Sequence, residues 1–484
     1  MAFLKLIFCG LYEYRKEVII MALYFREKDL AQLSAFYSKS NHRAMVIYGR
    51  CRTGKTTLVL KFIEKQPNCV YFQVSDPNSD YALALSDFKN TVSIRLGNDP
   101  IIAALSTFKD LFTYLGRVQE EPWLYIIDEF PYLAQKHKTI CGEFQWIIDH
   151  GLGNNKLILM GSSRSFMKDQ IQNQAQPLYG RFDEILEVLP FTYNEVHQLF
   201  PDDEDAMNVY AMTNGVAQYV MFFMEYSSVS EAIDNLLLRR NGRLLYEPTN
   251  MLRQELRDIG TFVRILRTIG SAEKGPAEIA EGSHVDSKAI YQYLNRLEDL
   301  QIIEPITNLL SGKKIRNKRY RINDLFFRFM YTFIEPNLSV IVQLEKDARP
   351  YVFGQQYQEY LGFVYEDLVR SCLYTFASDK IIPFMPTEIG KWWGNVQNNG
   401  VWAETEVDVL ALDREYALIG ECKYRTKKIG IKELELLKTK AAFIPTKGRK
   451  LIFMLASKEG FTDEVLVQSD VMLVENTKPL NRIG

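Results

Sequence analysis

Gly49, Gly54, Lys55 and Thr56 stand in the pattern Gly-x-x-x-x-Gly-Lys-Thr within VIYGRCRTGKTT, residues 46–57. That pattern suits a polyphosphate. Phosphate oxygens need several converging N–H donors and a cation; two glycines let the backbone curl without a Cβ in the way. Lys55 would bring its charge to the β- and γ-phosphates, and the Thr56 hydroxyl would sit on Mg²⁺. The helix starting here would turn its positive end toward the ligand. Arg50, Cys51, Arg52 and Thr53 supply the amides between the glycines and Thr57 follows in the first turn, so residues 49–57 form a candidate nucleotide-binding segment.

Two carboxylates belong with it. The run Trp123–Ile127 reads as a strand buried on both faces, and Asp128 and Glu129 follow directly. Such a strand delivers its last residues to the carboxyl edge of a parallel sheet, where the phosphate loop also opens. Asp128 would then hold Mg²⁺ through its water shell beside Thr56, and Glu129 would orient or deprotonate an attacking water. Strand Lys156–Met160 runs into Gly161, Ser162, Ser163 and Arg164. A hydroxyl there could meet the γ-phosphate or the water. Sequence does not separate Ser162 from Ser163, and either could cap the next helix. Arg181 follows a glycine turn; it could stabilise charge developing in phosphoryl transfer or sit in a surface salt bridge.

The elements that must position these groups alternate. A helix over Arg26–Ser38 precedes strand Ala44–Tyr48, the loop and its helix, and strand Val70–Val74. Helical stretches near Tyr81–Leu96 and Ile102–Gln119 lead to the Asp128 strand, then to helix Cys141–Gly151 and strands Lys156–Met160 and Glu184–Leu189. Strands alternating with helices predict an α/β fold with a doubly wound parallel sheet over residues 21–190. Residues 191–256 turn helical and would form a lid. Residues 257–335 read as a helix-turn-helix with a hairpin, and 350–484 return to mixed α and β. Pro336, Asn337 and Pro350 mark the expected linker.

A chain of 484 residues is too long for one core. Its net charge of −2 gives no global drive toward nucleic acid, so such binding would need local patches. The six cysteines show no C-x-x-C spacing, which fits reduced thiols in the cytoplasm and argues against a zinc ribbon. No apolar run reaches the length expected of a membrane span, and no membrane partner is expected. Residues 1–20 read as a non-native extension, with Met21 as a second start.

The order of Arg26-Glu27, GRCRTGKTT, IIDEFPYL, GSSRSFM and PLYGRFDEILEVLPF resembles the archaeal-type P-loop ATPase family, related to AAA and STAND proteins, over about Met21–Tyr226. The resemblance implies ATP and Mg²⁺ as cofactors and places Arg26 and Glu27 near the adenine. It also implies an extra strand between the Lys55 and Asp128 strands and Glu129 as the catalytic base. The family commonly carries a Gly-x-Pro-Tyr-like element in its lid. Here the stretch is Asn214-Gly215-Val216-Ala217-Gln218-Tyr219, with alanine in place of proline. An oligomer is required only if Arg181 acts across a subunit boundary.

In the middle region, Pro276–Ala280 and Ser287–Leu300 make a helix-turn-helix, with Ser287 as N-cap and Ile290, Leu294 and Leu297 on one face. Ile302–Ile306 and Lys318–Ile322 would pair as a wing carrying Lys313, Lys314, Arg316, Lys318, Arg319 and Arg321. This winged-helix pattern could bind DNA phosphates or dock a protein.

Near the C-terminus, alternating strands joined at Asp413–Glu415 would bring Asp408 nearly opposite Glu421, with Lys423 on the same face as Glu421. Two such carboxylates repel unless a divalent cation, Mg²⁺ or Mn²⁺, sits between them. With Trp392-Trp393-Gly394 and Gly420-Glu421-Cys422-Lys423, this stretch resembles a domain of unknown function found behind such ATPases and similar to PD-(D/E)xK nucleases. That resemblance implies metal-binding roles for Asp408 and Glu421, a catalytic or phosphate role for Lys423 and a supporting role for Glu366. A hairpin with ordinary cross-strand charge pairs is the competing reading. The chain is thus expected to be an ATPase coupled to these domains, an ATP-regulated DNA nuclease, or a DNA-binding regulator with slow or no hydrolysis.

Overall fold

The structure, a computed structural model, describes residues 24–482 except 75–79, 138, 257, 271, 307, 311–317 and 399–400, and the backbone alone at 395–398 and 401–403. The expected extension over 1–20 and Lys313, Lys314 and Arg316 of the wing lie outside the described residues. The chain divides into two compact units. One holds the chain through Phe200 with Thr213–Ala232 and Asn250–Arg257; the other holds Pro201–Met212, Ile233–Thr249 and everything from Asp258 on.

The first unit is built on a five-stranded, all-parallel sheet: β1 (Ala44–Tyr48), β2 (Cys69–Gln73), β3 (Leu124–Asp128), β4 (Lys156–Gly161) and β5 (Glu184–Glu187), in the order β2-β3-β4-β1-β5. Every residue of β1, β3 and β4 is buried, which is why AMVIY, LYIID and KLILMG show no alternation. One face packs on Phe88, Phe112, Phe130 and Phe144, the other on Leu33, Phe36, Leu58 and Phe62. Strand β4 lies between β1 and β3, as the resemblance implied. Parallel pairing of Tyr48 with Gly161, Ile127 with Leu159 and Gln73 with Asp128 brings the carboxyl ends of four strands to one edge. Strand β5 stops at Glu187, short of the expected Leu189, whose carbonyl instead accepts from Arg26.

In the second unit, helices Ile259–Ile269, Pro276–Ser283 and Ile290–Asp299 precede an antiparallel hairpin, β6 (Ile303–Ile306) with β7 (Arg319–Ile322). Ile290, Leu294 and Leu297 are buried on one helical face. The helix begins three residues after Ser287: Asp286 Oδ1 accepts from the amides of Lys288 and Ala289, so Asp286 makes the turn expected of Ser287.

The helical run Leu325–Val352 corrects another expectation, since its length and apolar composition would let it cross a bilayer. Here 56% of its most apolar window is buried, with Phe326, Phe329, Phe333 and Ile334 in the protein interior. Pro336 and Pro350, expected in a linker, occupy first turns of short helices within this run, where a missing N–H costs nothing.

After the long helix Gln355–Ser378 comes a mixed sheet: β8 (Glu388–Asn398), β9 (Val401–Leu412), β10 (Tyr416–Lys423), β11 (Lys450–Ser457), β12 (Val471–Glu475) and β13 (Lys478–Pro479), paired in reverse chain order. Strands β8, β9 and β10 are antiparallel neighbours, whereas β10, β11 and β12 run parallel. Helix Ile431–Ala441 buries Leu434 and Leu437 in this domain's core.

Candidate functional site

The loop Gly49–Gly54 joins β1 to helix Lys55–Ile63. A Cβ on Gly49 would lie 2.4 Å from the Val188 carbonyl oxygen, so no other residue fits without moving backbone. Gly54 takes the left-handed conformation (φ +93°) at the helix N-cap. Lys55 is buried, and its Nζ donates to the carbonyls of Gly49 (3.0 Å) and Arg50 (2.8 Å). Burial lowers the Lys55 pKa, and the nearby Cys51, Glu129 and Asp128 oppose that.

Thr56 Oγ1 donates to Asp128 Oδ2 at 2.7 Å, tying the loop helix to the end of β3. The same carboxylate accepts from Tyr71 Oη (2.7 Å), while the Glu129 amide donates to Oδ1 (2.9 Å). Glu129 sits at φ +56°, sparsely populated for a residue with a side chain and costing on the order of 1–3 kcal/mol. Its Oε2 accepts from the hydroxyl (2.7 Å) and amide (3.2 Å) of Ser162, at the end of β4. Burial raises the Glu129 carboxyl, Ser162 draws it down, and Asp128 pushes it up again.

The two serines therefore separate. Ser162 contacts Glu129, whereas Ser163 Oγ donates to Glu255 Oε2 at 3.0 Å. Arg181 lies in an ion pair with Asp149 (2.9 Å) rather than among these groups. Arg26 is buried; its Nη2 donates to the carbonyls of Thr53 and Leu189, both at 2.9 Å, and its guanidinium lies 5.1 Å from the Phe191 ring centre. Glu27 opens the following helix. The segment with alanine in place of proline still reaches the loop. Arg52 Nη1 donates to Gln218 Oε1 (2.8 Å), the Gln218 amide donates back to the Arg52 carbonyl (3.2 Å), and Arg52 lies over Tyr219.

Residues 23–222 match a family described as an ATPase domain predominantly from Archaea. This region of the chain is thus similar to an archaeal-type ATPase domain. Residues 330–435 match a second family, described as archaeal and bacterial proteins of unknown function. The uncharacterized protein MJECL04 of Methanocaldococcus jannaschii is 29% identical over 413 residues, 83% of this chain and 88% of that protein. Among solved structures, the chain is similar to the Aeropyrum pernix ORC2 protein in its ADPNP and ADP complexes (13% identity, 68% of this chain and 96% of that one, TM-score 0.41). It is also similar to CDC6P from Pyrobaculum aerophilum (16% identity, 68% and 96%, TM-score 0.34). At such TM-scores neither adds to the fold assignment, which stands on the sheet order.

Beyond the ATPase domain, the second unit gathers a charged cluster. The β9–β10 register pairs Val409 with Gly420, so Asp408 stands against Glu421. The Cys422 amide donates to Asp408 Oδ2 at 2.8 Å. Burial, with Glu366 and Glu421 adding to it, pushes the Asp408 carboxyl up to about 7. Glu421 is held from both sides, by Lys423 (2.6 Å) and by Lys440 (2.9 Å) from helix Ile431–Ala441. Glu366 pairs with Lys391 (2.7 Å) and Arg370 (3.6 Å). The expectation of a second divalent cation is not supported: among the described residues no three His, Cys, Asp or Glu side chains are grouped to hold a metal. Lysine and arginine supply the compensating charge instead.

Sequence reasoning missed Tyr71, Glu255, Lys391 and Lys440. Tyr71 could have been found, because a tyrosine on the strand beside β3 has its hydroxyl within reach of the Asp128 end. Lys440 carries no such signal, since it meets Glu421 only through packing of its helix on the sheet.

Proposed function

We propose that this chain is a Mg²⁺-dependent ATPase whose nucleotide state is passed from the phosphate loop to the helical segment beginning at Ala217. The observation that carries the reading is the contact of Thr56 Oγ1 with Asp128 Oδ2, with Glu129 one residue on and fixed by Ser162. A hydroxyl beside a carboxylate is an oxygen donor set that fits a small hard cation keeping most of its waters. Bound there, Mg²⁺ would neutralise charge on the β- and γ-phosphates. Lys55 and the amides of residues 49–57 hold the phosphates, Glu129 accepts a proton from the attacking water, and Ser162 keeps that carboxylate oriented and ionised. Arg26, which holds the Thr53 carbonyl of the loop, and its neighbour Glu27 are assigned to the adenine base, while Ser163 is engaged by Glu255 and Arg181 by Asp149. Arg52 reports the state of the loop to Gln218 and Tyr219. A cytoplasmic setting fits free thiols at Cys51, Cys69, Cys141, Cys372 and Cys422.

Phosphate release tests the assignment. Glu129→Gln is expected to lower kcat by roughly 10²–10⁴-fold while ATP still binds, and Lys55→Ala to lose binding itself. Unchanged turnover in both variants would exclude the site.

The wing supports docking within the chain better than binding of DNA. Lys318 pairs with Glu298, Arg319 lies 5.6 Å from the Trp393 ring centre, and Arg321 pairs with Glu304 and Asp367. A nuclease reading has one observation in its favour, the juxtaposition of Asp408, Glu421 and Lys423. Lys440 and Lys391, occupying the carboxylates a metal would need, weigh against it. Plasmid incubated with Mg²⁺ or Mn²⁺ is therefore expected to stay intact; metal-dependent nicking abolished by Asp408→Ala would reinstate cleavage.

A further inference from the structure

Within the second unit a cleft of about 340 Å³ is bounded by the turn after helix Ile259–Ile269, strand β7, the helical run that follows it, helix Gln355–Ser378 and strands β8 and β9. Its volume is at the lower end of ligand pockets, roughly 300–1,000 Å³. The polar lining divides by depth and by sign. Arg328 and Thr332, one helical turn apart, are the deep members, and Arg328 is only 5% exposed. Arg328 Nε donates to the Ile322 carbonyl and Nη1 to Asp367 (3.2 Å), but buried Nη2 has no acceptor among the described residues. Thr332 Oγ1 is also buried without a partner. Two unpaired donors beside one cleft cost stability that an arriving acceptor would restore.

The exposed charged residues of the cleft are acids, Glu359 and Glu406, beside the neutral amide of exposed Gln356, with Glu273 half-buried. The other cations are already matched: Arg321 by Glu304 and Asp367, Lys391 by Glu366. A phosphorylated ligand would meet three carboxylates with no spare cation except Arg328. A simple carboxylic acid would leave the outer acids unanswered. Phe363 and Tyr360 also line the cleft and supply apolar wall.

We propose that this cleft binds a free amino acid with a cationic side chain. Its carboxylate accepts from Arg328 Nη2 and Thr332 Oγ1, and its side-chain cation is held by Glu359 and Glu406. The site is independent of the ATPase reading.

Calorimetric titration of the full chain with L-arginine and L-lysine, alongside L-glutamate, AMP and inorganic phosphate, tests it. Saturable binding of a basic amino acid is expected, with the other three inert. Thr332→Val is isosteric and removes a buried unpaired hydroxyl, so its Tm should hold or rise while the Kd weakens at least tenfold. Glu359→Gln with Glu406→Gln, both at exposed positions, should weaken binding similarly at unchanged Tm. No binding of either basic amino acid, binding indifferent to both variants, or preference for AMP or phosphate would overturn the proposal.

Discussion

Two hydrogen bonds from Ser162 bear on how readily Glu129 takes a proton. Burial and Asp128 raise that carboxyl, and the Ser162 hydroxyl and amide oppose them. A base works in its ionised form, so turnover should fall as pH drops through the Glu129 pKa, above the usual glutamate value of about 4.3. Ser162→Ala removes the hydroxyl's contribution and should move that limb to higher pH and lower kcat. Ser163→Ala, whose hydroxyl meets Glu255 instead, should leave the limb in place. Identical pH–rate profiles for the two variants would contradict the assignment. Asp408 carries a second titration. Its pKa of about 7 lies above the unfolded value of about 3.9, so between those values the folded state holds the extra proton. The penalty of folding with Asp408 ionised therefore grows as pH rises from 4 to 7. Asp408→Asn is expected to stabilise the protein by roughly 2–4 kcal/mol at pH 8 in metal-free buffer, and by little at pH 4. Denaturation curves at both pH values would read it; a gain independent of pH would refute it. The glycines and lysine of the phosphate loop were legible because their spacing is local. Choosing between Ser162 and Ser163 was not, because tertiary neighbours decide which hydroxyl meets Glu129.

At the scale of elements, Gly215 joins the start of the 217–224 helix to the rest of the ATPase domain. It lies at φ +66°, the Phe191 amide donates to its carbonyl at 2.7 Å, and an added Cβ would come within 1.9 Å of the Phe191 oxygen. Phe191 in turn lies beside Arg26, which holds the Thr53 carbonyl of the loop. Gly215→Ala should destabilise by about 2 kcal/mol or more and raise the KM for ATP, since backbone must shift to admit the methyl group. A variant with unaltered Tm and KM would break this link. The five strands of the parallel sheet were legible in the sequence, β1, β3 and β4 as largely apolar runs, and their boundaries fell within a residue or two, whereas β8 and β11–β13 were not bounded from sequence. Helix Ile290–Asp299 was located by its apolar face, but its start was not, because Asp286 and Ser287 are both competent caps. Lys318, Arg319 and Arg321 of the wing looked free in sequence because Glu298, Glu304, Asp367 and Trp393 approach them only in the folded unit.

At the scale of the whole molecule, the chain passes repeatedly between its two units. Thr213–Ala232 and Asn250–Arg257 belong with the phosphate loop, while Pro201–Met212 and Ile233–Thr249 belong with the second unit. The chain therefore crosses between the units at several points rather than through a single linker. The alternation of helix and strand announced the ATPase domain, whereas this interleaving had no local signature. All of it depends on a triphosphate entering the loop at Lys55. Isothermal titration of the full chain with ATP and Mg²⁺ examines that directly. The account predicts one saturable site per chain, abolished by Lys55→Ala and retained in Glu129→Gln. Absence of ATP and ADP uptake by folded wild-type protein, or uptake unchanged by Lys55→Ala, would contradict it.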